Sequence, residues 1–77
     1  MQDAARVDAV AGEIRRYLDA HPDAADTVDG VLQWWLPAAS ASVSRETVEH
    51  ALDVLVGTGE IVRRIHADGT VIYGRQR

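Results

Sequence analysis

The stretch Gly57-Thr58-Gly59-Glu60-Ile61-Val62-Arg63-Arg64-Ile65-His66-Ala67-Asp68-Gly69-Thr70-Val71-Ile72-Tyr73-Gly74-Arg75 is where the chain changes its period. Before Gly57 the apolar residues recur at three- and four-residue spacing, as on a helix; after Gly59 they alternate, and β-branched residues dominate. Asp68-Gly69 is a strong two-residue hairpin signal. Taken as the loop, it sets Ala67 opposite Thr70 and Arg64 opposite Tyr73. One face of the predicted ribbon then carries Ile61, Arg63, Ile65, Ile72 and Gly74 and lies on the helices. The other carries Val62, Arg64, His66, Val71, Tyr73 and Arg75, a basic face with an aromatic ring among its charges.

Upstream of the ribbon, a helix is expected from a cap at Ser42 or Ser44 to about Val56, with Val48, Ala51, Leu52, Leu55 and Val56 as its buried stripe. Gly57-Thr58-Gly59 supplies the glycine that a helix end commonly uses. The first segment reads as an amphipathic helix from about Asp3 to Ala20, burying Val7, Val10, Ala11, Ile14 and Leu18 and stopped by His21-Pro22. A shorter helix follows a cap at Asp26 or Thr27 and runs to about Leu36, before Pro37 and the small-residue turn Ala38-Ala39-Ser40-Ala41-Ser42. Its buried face holds Val28, Val31, Leu32 and Trp35. Trp34 points roughly 120° away from the centre of that face and is left to be covered locally or to anchor a partner.

Helix, short helix, turn, longer helix and hairpin is an order that resembles the winged helix-turn-helix superfamily. The residues carrying the resemblance are Ser44-Arg45-Glu46-Thr47-Val48 through Ala51-Leu52, Leu55 and Gly59, then Ile61, Asp68-Gly69 and Tyr73. It spans essentially the whole chain as one domain, residues 1–77, mainly α with a C-terminal β-hairpin. It implies that the third helix is a recognition helix and the hairpin a two-stranded wing. A strand that many members carry between the first two helices is not expected here, because the Asp23 to Thr27 connector is short and polar. Winged helices serve both as DNA readers and as protein-interaction modules, so the resemblance specifies fold better than function.

At 77 residues the chain has room for one core, and with 47% hydrophobic and 26% charged residues it should fold. There is no cysteine, so packing or a partner subunit must supply the stability. No apolar run approaches the roughly 18–20 residues that span a bilayer, and Met1-Gln2-Asp3-Ala4-Ala5-Arg6 lacks a signal-peptide pattern. A cytoplasmic protein without membrane association is expected. The histidines His21, His50 and His66 are scattered, and no glycine-rich phosphate loop precedes a helix, so neither a metal, a cofactor nor an enzyme activity is expected. A three-helix unit is also expected to offer no deep pocket of the usual few hundred Å³.

The net charge of −4 is uneven. Residues 1–44 hold three arginines against seven acids, and residues 45–77 hold five of each. The first functional reading is a transcription-regulator type of DNA-binding protein, acting as a dimer or with a partner and touching backbone chiefly through the wing. It places Ser44, Arg45, Glu49, His50, Arg63, Arg64, His66, Tyr73, Arg75 and Arg77 against nucleic acid. Against it stand Glu46, Glu49 and Asp53, three carboxylates on the exposed face of the third helix, where a polyanion would be repelled. The alternative reading is a protein-interaction adaptor or dimerisation module using Trp34, Glu46 and Asp53, without DNA.

Overall fold

The structure, a computed structural model, describes residues 4–36 and 43–75. Helix α1 (Ala4–Ala20) is followed by a two-residue strand β1 (Ala25–Asp26), then α2 (Val28–Gly30), which runs directly into a π-helical turn (Val31–Trp35). Helix α3 (Arg45–Gly57) leads into strands β2 (Ile61–Ile65) and β3 (Val71–Arg75). Three helices thus meet a three-stranded antiparallel sheet of order β1-β3-β2, an arrangement compatible with a winged helix. The expected start of the first helix at Asp3, the Pro37 to Ser42 turn with its candidate cap Ser42, and Arg77 lie outside the described residues.

Local chemistry sets the helix ends. Thr27 caps α2 by accepting a hydrogen bond from Gly30 N (3.1 Å), and Ser44 caps α3 by accepting one from Thr47 N (3.1 Å). Asp26 folds its carboxylate over Gly30, in the space that a Cβ there would fill, while accepting a hydrogen bond from Thr27 N (2.8 Å). The core is one cluster. Val7, Val10, Ala11, Ile14 and Leu18 of α1 meet Val48, Ala51, Leu52 and Leu55 of α3, closed by Val28, Val31, Trp35, Ile61 and Tyr73. Leu32 and Val56, expected inside, are half-buried at its margin.

The sheet departs from expectation twice. The first correction concerns β1, which pairs Ala25 with Gly74 and Asp26 with Tyr73 although the connector was read as strandless. The second concerns the hairpin loop, which has three residues, Ala67-Asp68-Gly69, rather than two. His66 N donates to Thr70 O (2.8 Å), Gly69 N donates to His66 O (2.9 Å), and Gly69 adopts φ +89°, the left-handed conformation that closes a three-residue hairpin. The Asp68 carboxylate accepts a hydrogen bond from Thr70 N (2.9 Å), which holds its carboxyl below the usual range.

One extra loop residue shifts the register by one, so Arg64 faces Ile72 and Arg63 faces Tyr73. With a side-chain period of two, that shift exchanges the faces of β3. Val71, Tyr73 and Arg75 share the helix-facing side with Ile61, Arg63 and Ile65, whereas Ile72 and Gly74 join Val62 and Arg64 on the outer side. Tyr73 is therefore in the core at 5% exposure, not on the outer basic face. Ile65 keeps its expected side but is 70% exposed, because burial fades along β2 as the hairpin runs past the helices.

Candidate interaction surface

The tandem tryptophans diverge sharply. Trp35 is 5% exposed and stacks on Tyr17 of α1, ring centroids 5.0 Å apart and planes 10° from parallel. Tyr17 in turn lies against His21, with centroids 4.5 Å apart. Trp34, one position earlier, is 68% exposed. The π turn that carries both is wider than an α-turn, and such turns are frequent at functional sites. Beside Trp34 lies a cleft of about 330 Å³ whose walls include Glu13, Arg16, Tyr17, His21 and Leu36. Glu13 and Arg16 form an ion pair along its α1 wall (3.3 Å).

Along α3, Ser44 has its hydroxyl engaged as a cap and also shares a hydrogen bond with the Thr47 hydroxyl (3.0 Å). Arg45 is bound by Asp29 and by Glu49 (3.1 Å). Glu46, Glu49, His50 and Asp53 face solvent, so the exposed surface of this helix is predominantly acidic.

The predicted basic cluster of the hairpin is divided by the fold. Arg63 points toward α3 and pairs with Asp53 (3.7 Å), and Arg75 pairs with Asp19 of α1. Tyr73 has left the surface. Arg64 and His66 stay together on the outer side, and Arg64 has no ion pair with any described residue. Exposed pairs of this kind contribute about 0–1 kcal/mol each, yet they offset most of the positive charge that a phosphate backbone would meet.

A further pair escaped sequence reasoning because its members lie 45 positions apart. Arg15 grips Glu60 with two hydrogen bonds, from Nε to Oε1 (2.7 Å) and from Nη2 to Oε2 (3.0 Å), and Thr58 Oγ1 adds a third (2.7 Å). These donors, Arg15 foremost and Thr58 next, lower the Glu60 carboxyl from 4.5 to about 2. The contact ties α1 to the α3–β2 corner.

The outer side of the sheet forms a concavity of about 600 Å³, larger than a three-helix unit was expected to offer. Its floor is Val62, Ile72, Gly74 and Ala25, and its rim includes Arg64 and His66. Small residues make the hollow: a Cβ at Gly74 would come within 3.2 Å of Ala24 O and 3.3 Å of Ala25 Cβ. Among the described residues no three His, Cys, Asp or Glu side chains gather as a metal site, and no helix is long and apolar enough to cross a membrane.

No protein-family model, curated protein or solved structure matches the chain.

Proposed function

We propose that this chain is a winged-helix protein-interaction module that docks a partner protein, or a second copy of itself, through the face centred on Trp34. The observation that carries the reading is the 68% exposure of Trp34 beside a neighbour at 5%. A large ring held in water forfeits most of its burial free energy, and tryptophan is enriched among the residues that dominate interfaces. The Tyr17–Trp35 stack supplies a rigid wall next to it, so little ordering remains to be done when a partner arrives. The acids of α3 favour the same reading, because they give the helix a surface suited to a protein and unsuited to a polyanion.

The test compares the intact chain with Trp34→Ala for thermal midpoint, sedimentation and partner capture. An unchanged midpoint with loss of self-association or capture supports the proposal; equal association by both chains overturns it.

DNA contact through the wing is a second reading, favoured by Arg64 and His66 lying together on the outer side, where Arg64 has no ion pair with any described residue although Asp23 lines the same concavity. It predicts binding of a mixed-sequence duplex whose log-log salt slope falls by about one when Arg64 becomes Ala. A duplex bound with no salt dependence, or not at all in dilute salt, removes it.

A further inference from the structure

Strand β2 is an edge of the sheet, since the order β1-β3-β2 leaves no strand of the described residues on its other side. His66 and Thr70 are joined by a backbone hydrogen bond at the hairpin end. Backbone groups alternate along an antiparallel pair, so Arg64 and Val62 also direct their N–H and C=O toward β3. Those of Ile61, Arg63 and Ile65 therefore point away from the sheet. Such an edge is a ready template for another strand.

From these features we propose that β2 accepts an extended, acidic segment of a partner protein as a fourth strand. The side chains define its chemistry. A residue laid beside Arg64 would share the outer side with an arginine that, like Arg6 on α1, has no ion pair with any described residue, whereas Arg15, Arg16, Arg45, Arg63 and Arg75 are ion-paired. An acid belongs there. The next residue along would lie beside Ile65, whose 70% exposure makes it one of two large hydrophobic side chains left in water among the described residues, and an apolar residue belongs there. The α3 acids do not oppose the arrangement, because Asp53 holds Arg63 on the helix-facing side while Arg64 faces the opposite way.

A second copy of this chain is the poorer occupant. Antiparallel pairing of β2 with itself about its centre sets Arg63 opposite the Arg63 of the second copy, and like charges opposite each other destabilise a sheet. The surface is separate from the Trp34 face and its partner need not be the same protein.

The probe is a capped six-residue peptide of alternating valine and glutamate, added to the isotope-labelled full chain in dilute salt and followed by amide shifts and hydrogen exchange. Protection concentrated at the Arg63 and Ile65 amides is expected. Exchanging the peptide glutamates for lysine should weaken binding about fivefold, and Arg64→Glu should reverse that preference. Trp34→Ala should bind as the unaltered chain does, which separates this proposal from the preceding one. Three results would each overturn it: no β2 amide responds, a peptide methylated on its strand-pairing nitrogens binds equally well, or the chain self-associates through β2.

Discussion

Leu52 has no solvent exposure and sits where α1 and α3 meet, so Leu52→Ala removes buried methyl groups from the centre of the core cluster. A loss of about 2–5 kcal/mol is expected in denaturant unfolding, a large fraction of what so small a domain possesses. The two tryptophans should separate in the same measurement. Trp35→Ala leaves a cavity beside Tyr17 and should cost about 3–5 kcal/mol, whereas Trp34→Ala should leave the unfolding midpoint nearly unmoved. Glu60 gives a pH-dependent prediction. Its carboxyl is lowered from 4.5 to about 2 in the folded chain, so its contribution is complete above pH 4.5 and is lost as the pH falls toward 2. The melting-temperature gap between the native chain and Glu60→Gln should be widest near neutrality and close by about pH 2.

At the scale of elements, what was legible was whatever depends on near neighbours. The stripes of α1 and α3, the stop at Pro22 and the Ser44 and Thr27 caps all follow from spacing and side-chain chemistry within one turn. Strand β1 was not legible, because two residues carry no period and only their distant partners Gly74 and Tyr73 make them a strand. The hairpin register was within reach: a three-residue loop ending at Gly69 buries Tyr73 with Ile61 and turns Val71 to the same side, and an aromatic ring rewards burial more than Gly74 does. Gly69, at φ +89°, carries that register, and Gly69→Ala should destabilise by about 1 kcal/mol in thermal unfolding, with the change in amide shifts confined to the hairpin end.

Across the whole molecule, the divergence of Trp34 from Trp35 was readable from helical phase, but the fate of the basic cluster was not. Arg75 meets Asp19 from 56 positions away, and Arg63 meets Asp53 only because the register turned it toward α3. Net charge counted along the chain cannot show which charges will pair in space. The strand pair Ala25 with Gly74 has a temporal consequence as well. Closing a segment of about 50 residues for two residue pairs incurs roughly 3–4 kcal/mol of loop entropy, whereas α3 and the β2–β3 hairpin close over short distances. The clasp between β1 and β3 should therefore form after the folding barrier has been crossed. In stopped-flow experiments a substitution that weakens it, such as Gly74→Ala, is expected to speed unfolding and leave the folding rate almost untouched, while Leu52→Ala slows folding.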